Sequence, residues 1–219
     1  MTITLVRHGE VEEAYHRCYN GHNDIALSAK GREEAKQLAK FLKDQTFDTI
    51  YSSDLRRCRE TTEQLLTSVI PAKAGIHEPK HSSNTDSLIP ASAGMTIFPT
   101  PIYTQQLREK SWGKHEGMTF DAIVSQEAFI YKDFLQWINA LDGEPYPQYI
   151  HRVKTFFTKT LPQTGYNNVL VVTHAGVIRV LMHILQGISL EAAFSINFPY
   201  SAYTTLKSET WEFGEILCV

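Results

Sequence analysis

The chain has 219 residues, 42% of them hydrophobic, which is enough for one substantial buried core and short of the length at which cores divide. A formal charge of −3 excludes the broad basic field that nucleic-acid binding requires, so any anionic ligand must meet local positive charge. Three cysteines, Cys18, Cys58 and Cys218, are odd in number and widely spaced without a Cys-x-x-Cys, which argues against a disulfide framework or zinc knuckle and fits a reducing cytoplasm.

Thr2–Val6 is short, β-branched and apolar, as expected of a buried central strand rather than a signal peptide, and it delivers Arg7-His8-Gly9-Glu10 to its carboxyl end. That is where α/β sheets bind ligands, and Gly9 is expected to let the chain turn and a ligand oxygen approach the main chain. Ser28 caps a predicted helix in which Ala35, Leu38, Ala39 and Leu42 share one face. Phe47–Ser52 reads as a second strand, with Ser53-Asp54 supplying a cap and a first-turn acid for a helix to about Thr67. Residues 68–99 break the βαβα rhythm. They are rich in Pro, Ser, Ala and Gly, and Ser68–Ile76 recurs as Ser87–Met95, which marks an insertion at about 69–98 that is either a tolerated surface loop or an evolved lid or docking loop. Within it, His77-Glu78-Pro79-Lys80-His81 matches a zinc-protease pattern in letters only, because Pro79 breaks the helix that would put both imidazoles on one face.

Beyond the insertion, Ile102-Tyr103 reads as a short strand, Ala128–Leu141 and Pro147–Leu161 as helices, and Asn168–Thr173 as a buried strand followed by a helix from Gly176 to about Leu185. The apolar run 169–185 contains His174, Arg179 and His183, so it is a buried strand and helix and not a membrane span. Tyr203–Val219 suggests two strands around a polar turn at Ser208-Glu209, on a sheet edge. The expected class is α/β: three layers, with helices on both faces of a mostly parallel sheet and an antiparallel edge strand.

Several segments at strand ends and helix starts carry chemistry. They are Arg7-His8-Gly9, the loop Tyr19-Asn20-Gly21, Ser53–Thr61 with Arg56, Arg57 and Arg59, Leu107–Gly117 with Glu109, and Thr173-His174-Ala175-Gly176. Two histidines and at least two arginines converging on one crevice suit a doubly charged, tetrahedral group such as phosphate, since arginine donates bidentate hydrogen bonds and stays charged. The helix opening at Gly176 adds free amide donors. There is no P-loop and no acidic cluster to suggest magnesium, so arginines and histidines are left to stabilise the transferring phosphoryl group.

Those segments, in that order, resemble the histidine phosphatase, or phosphoglycerate mutase-like, superfamily, and the likeness runs along the whole of residues 1–219 as a single domain. The resemblance makes His8 the implied nucleophile and Arg7 a phosphate clamp. It selects Arg57 from the three helix arginines, Glu109 as proton donor and His174 as the second pocket histidine. Asn20, Gly21 and Ala175 complete the implied phosphate- and substrate-binding set, with no metal and no cofactor. A neutral imidazole is a competent nucleophile when its other nitrogen is hydrogen-bonded, and a carboxylic acid can protonate the leaving alkoxide.

Between Glu116 and Tyr149 the only basic residue is Lys132, whereas the mutase branch carries extra arginines there, so hydrolysis is preferred to mutase-type transfer. The first loop and Gly143-Glu144 look most like the α-ribazole phosphatase-type subgroup, which implies α-ribazole 5'-phosphate as a substrate. Val11, Ala14, His115 and Pro145 depart from the family pattern. The expected partner is a small phosphorylated metabolite in the cytoplasm, with no nucleic acid and no membrane; a catalytically idle phosphate-binding or scaffold protein is the competing class.

Overall fold

The central strands of this chain bury both faces. In the computed structural model, which describes residues 1–67, 99–127 and 131–218, β1 (Thr2–Arg7) sends Ile3 and Leu5 into one apolar cluster and Val6 into another. β2 (Thr49–Ser53) does the same with Tyr51 and Ile50. After the short β3 (Ile102–Thr104), β4 (Asn168–Thr173) divides Val169 and Val171 from Leu170 and Val172. β5 (Tyr203–Lys207) and β6 (Glu212–Phe213) form the closing hairpin. A run without polar alternation needs cover on both sides, and helices provide it.

The strand order is β3-β2-β4-β1-β5-β6, parallel from β3 to β1 and antiparallel at β5 and β6. One face is covered by α1 (Ala29–Leu42), through Leu38, Ala39 and Leu42, and by α2 (Arg56–Thr67), through Cys58 and Leu65. Of the later helices, α3 (Phe120–Gln126) and α4 (Phe134–Ala140) precede α5 (Tyr146–Thr155), which with α6 (Ala175–Gln186) covers the opposite face through Tyr149, Val153, Val177, Val180 and Leu181. α7 (Leu190–Ser195) packs on α6. This is the expected three-layer α/β arrangement. Register matters most for the site: Arg7 lies opposite Thr173 and Ser52 opposite Val172, so β1, β4 and β2 end side by side.

Some boundaries differ from the sequence reading. Asp54 does not serve as a first-turn acid; both its oxygens bind the Arg108 guanidinium, at 2.7 and 2.6 Å, and the α2 amide at Arg56 is met instead by Asp24 Oδ1 at 2.6 Å. Of the expected helix over 128–141, the described part is helical from Phe134, because Asp133 takes an extended, capping conformation and accepts from the Gln136 amide at 2.8 Å; residues 128–130 lie outside the described residues. α3, capped by Thr119, and α7, capped by Ser189, are helices of seven and six residues that the periodicity did not expose. α5 starts one residue early and passes at Phe156–Thr160 into a π turn, closed by the Leu161 amide on the Phe156 carbonyl at 2.8 Å. The insertion and its His77–His81 pattern lie outside the described residues. Among those described, no helix is long and apolar enough to cross a membrane.

Candidate active site

The chain leaves β1 pinned on both sides. The Arg7 amide donates to the Ala202 carbonyl and the His8 amide to the Thr173 carbonyl, each at 3.0 Å, while Ser201 donates to the His8 carbonyl at 3.2 Å. The side chains of Arg7 and His8 therefore emerge at fixed positions on the wall of a cavity of about 200 Å³. His8 is 6% exposed, and its Nδ1 lies 2.8 Å from the Gly9 carbonyl. A carbonyl can only accept, so Nδ1 carries the proton and Nε2 keeps its lone pair. Burial, with Arg57 and Arg7 nearby, holds this imidazole well below its ordinary value of 6.5 and so keeps it neutral.

Arg57 occupies the first turn of α2 and is 1% exposed. Its guanidinium is locked by the carbonyls of Asn23 at 2.9 Å, Gly21 at 2.6 Å and Asn20 at 3.3 Å, and its Nε donates to His174 Nδ1 at 3.2 Å. That bond makes Nδ1 of His174 an acceptor, so its Nε2 donates to Ser53 Oγ at 2.9 Å. Both nitrogens of His174 are thus engaged, and burial with Arg57 close by depresses its pKa well below 6.5. The two histidine rings meet edge to face, 5.2 Å apart. Arg7 lies over the Tyr200 ring at 3.8 Å and donates to the Phe198 carbonyl at 2.5 Å. Its Nε is buried with no hydrogen-bond partner among the described residues, and burial lowers its pKa to about 10.

Glu109 is held by three donors: Tyr149 Oη to Oε1 at 2.5 Å, the Lys110 amide to Oε1 at 3.1 Å, and the Gly176 amide to Oε2 at 2.9 Å. The last is a free amide in the first turn of α6. A Cβ at position 176 would fall 2.1 Å from Oε1, so only glycine admits the carboxylate so close. Glu116 ties the two site loops together, accepting from the amides of Gly21 and His22 at 2.7 Å each and Trp112 at 2.9 Å.

His8, Arg7, Arg57, Glu109, His174, Asn20 and Ala175 all line the one cavity. Gly21 is not among the lining residues; its carbonyl serves Arg57, and a Cβ there would fall 2.1 Å from the Lys110 carbonyl. At Gly9 the missing side chain leaves room for the backbone of Gly31, whose oxygen would be 2.4 Å from a Cβ. The lining also contains Lys110, Tyr146, Tyr149 and Arg179, which sequence reasoning missed. A signal was present for Arg179, the one arginine in a largely apolar helix, and for Tyr146 and Tyr149, which share a helix face at i, i+3. Of the departures from the family pattern, Val11 lines the cavity, while buried His115 bridges the Asp142 amide and Glu127, both at 3.0 Å.

A buried, neutral imidazole flanked by arginines and a carboxyl group, at the carboxyl edge of a mostly parallel sheet, defines an enzyme of phosphoryl chemistry. A model of the histidine phosphatase superfamily (branch 1) matches residues 3–78 and 89–215, and the chain belongs to that family. Its class is that of the phosphatases. It is 25% identical, over 94% of its length and 89% of the relative's, to an adenosylcobalamin/alpha-ribazole phosphatase of Escherichia coli. It is 28% identical to a broad-specificity phosphatase of Saccharomyces cerevisiae, over 84% of this chain and 70% of that one. The crystal structure of the alpha-ribazole phosphatase from Shigella flexneri superposes with a TM-score of 0.73 at 22% identity, covering 100% of this chain and 96% of the other, which is a likeness of fold.

Proposed function

We propose that the protein hydrolyses small phosphomonoesters without a metal, through a phosphohistidine formed on His8. The observation that carries this reading is the His8 imidazole, buried, committed at Nδ1 to the Gly9 carbonyl and free at Nε2, in a cavity it shares with Arg7 and Arg57. In the first step Nε2 attacks phosphorus, the bond from phosphorus to the ester oxygen breaks, and Glu109 gives its proton to the leaving oxygen. Arg7 and Arg57 stabilise the charge spread over the three phosphoryl oxygens. In the second step Glu109, now a carboxylate, takes a proton from water; the water oxygen bonds to phosphorus, the N–P bond breaks and phosphate leaves. His174, oriented by Arg57 and Ser53, borders the phosphoryl position, and Asn20 and Ala175 form part of its surround.

Mutase-type transfer is disfavoured because Lys132 is the one basic residue between Glu116 and Tyr149. α-Ribazole 5'-phosphate is the metabolite to which the subgroup motifs and the names of relatives point, and it enters the substrate panel on that basis. The decisive experiment measures phosphate release from para-nitrophenyl phosphate in the presence of EDTA. Turnover is expected to persist in the chelator and to fall by about 10³-fold or more in His8→Ala, the scale seen when a covalent nucleophile is removed. Full activity in that variant overturns the mechanism. Absence of turnover across a panel of phosphorylated metabolites, with vanadate still bound, would instead identify an idle phosphate-binding protein.

A further inference from the structure

The two arginines beside His8 are held by different means. A guanidinium has five N–H donors. Arg57 makes four hydrogen bonds to its surroundings: Nε to His174, Nη1 to the Asn23 carbonyl, and Nη2 to the carbonyls of Asn20 and Gly21. The one N–H left, on Nη1, can give a phosphoryl group a single bond but not a fork. Arg7 makes one hydrogen bond among the described residues, from Nη1 to the Phe198 carbonyl. Its Nε and Nη2, the edge that matches two oxygens of a phosphate, are uncommitted, and Nε is buried.

A single bond through Nη1 leaves the guanidinium free to turn about it. The second constraint is Tyr200, whose ring centroid lies 3.8 Å from Cζ of Arg7. A cation over an aromatic face is engaged through its own face, so its in-plane donors stay available. The backbone puts the ring there by tying residues 198–202 to the end of β1. The Phe198 carbonyl takes Arg7 Nη1, the Ser201 amide donates to the His8 carbonyl at 3.2 Å, and the Ala202 carbonyl accepts from the Arg7 amide at 3.0 Å. The Ala202 amide closes the turn on the Pro199 carbonyl at 3.3 Å. Within that turn Ser201 is fully buried at a φ of 53°, the left-handed region that favours glycine. Its hydroxyl has no hydrogen-bond partner among the described residues, so this strained residue serves the path of the chain and not its own side chain. Tyr200 itself is half-buried and belongs to neither apolar cluster. It lines the cavity, with its ring 5.7 Å from that of His8.

We propose that Tyr200 is a positioning residue: its ring holds the Arg7 guanidinium so that Nε and Nη2 meet two phosphoryl oxygens as a bidentate pair beside His8. This rests on the phosphomonoesterase reading, and it assigns the role to the face of the ring and not to its hydroxyl.

The test measures calorimetric binding of orthovanadate, and kcat/KM on para-nitrophenyl phosphate, in Tyr200→Phe, Tyr200→Met, Arg7→Lys and the double variant Arg7→Lys/Tyr200→Met. Tyr200→Met should lower both by about tenfold, within the range of a cation–π contact. Tyr200→Phe keeps the ring face and should rescue both to within about twofold of the wild type. Lysine keeps the charge of Arg7 without its fork, so in the Arg7→Lys background the further change Tyr200→Met should cost less than about twofold. A ring that only fills space would cost the same in either background, and that result overturns the proposal. So does a loss in Tyr200→Phe as large as in Tyr200→Met, which would give the role to the hydroxyl. Should Tyr200→Met not fold, NMR of the wild type decides. The Arg7 Nε proton, identified by its absence in Arg7→Lys, is expected to move downfield when vanadate binds, while the Arg7 δ-methylene stays shielded by the ring. Failure of either overturns the proposal. Absence of ester turnover in the wild type would overturn the hydrolase reading alone, since the vanadate affinities still decide the role of Tyr200; absence of both turnover and vanadate binding overturns the two together.

Discussion

His8 and Glu109 line the same cavity but are held by different means. His8 and its partners follow directly from sheet register: β1 and β4 are adjacent and in phase, β2 is next to β4, and the residues after Arg7, Thr173 and Ser53 must meet. Glu109 comes from a loop and is held by groups from elsewhere in the chain, Tyr149 on α5 and the Gly176 amide on α6. The His8 side is therefore positioned by the strand ladder, while the Glu109 side depends on a few long-range contacts. Perturbations at a distance should reach Glu109 more readily than His8.

The largest effect is expected at Gly176. A methyl group there would stand 2.1 Å from one oxygen of Glu109 and 2.6 Å from the other, so Gly176→Ala must push the carboxyl group out of place. Displacement by about 1 Å costs catalysis about 100-fold, and steady-state kinetics should show that loss in kcat on alkyl phosphates. In kcat/KM, which reports the first chemical step alone, the loss should be much smaller on para-nitrophenyl phosphate, whose leaving group needs no proton, while kcat, which includes the attack of water, should fall on both. Equal losses in kcat/KM on both would mean that the change reached the His8 side as well, and would remove the distinction drawn between the two halves of the site.

This division also explains what could be read from the sequence. Arg7, His8 and His174 sit in short motifs at strand ends, where local pattern gives the element and the element gives the position, whereas the choice of Arg57 over Arg56 and Arg59 needed the family resemblance. Glu109 needed the family resemblance, because nothing in Leu107–Gly117 itself reveals that α5 and α6 converge on it. Tyr149 and Arg179 carry local signals, a tyrosine pair on one helix face and an arginine in a largely apolar helix, but nothing local says what they face. Their polar atoms acquire a purpose only when the helices are packed. Gly9 shows the reverse: its need for glycine was evident, yet the backbone it makes room for, at Gly31, lies more than twenty residues away. Short helices such as α3 and α7 offer one or two turns of periodicity and were lost for that reason. Asp54 reads from the sequence as belonging to the nearest helix, whereas its partner, Arg108, lies on a distant loop.

A smaller effect is expected from Tyr149→Phe. Tyr149 is fully buried, and burial beside Glu109 holds its phenol pKa well above 10, so it stays protonated and donates. Removing the hydroxyl deletes one of three donors to the carboxyl group without opening a cavity. The expected result is about a tenfold fall in kcat, the scale of one hydrogen bond to a charged group, with a shift in the pH profile for alkyl phosphates and little change in KM. An unchanged profile would assign the hydroxyl a packing role only.

The smallest response is expected from the His8 side itself when the pH is lowered. His8 and His174 are both depressed well below 6.5, so in the folded protein their rings remain neutral as the pH falls through that value. Their imidazole resonances should stay still in an NMR titration from pH 7.5 to about 5.5, the range in which a histidine of ordinary pKa changes charge. The sign of the stability effect is opposite. Below about pH 6.5 the unfolded chain binds protons that the folded one does not, so stability declines with falling pH by at most about 1.4 kcal/mol per pH unit for each of the two rings. Resonances of His8 that titrate near 6.5 would mean that the buried imidazole is charged at that pH and its Nε2 lone pair blocked, and the His8 half of the site could then not serve as the nucleophilic half.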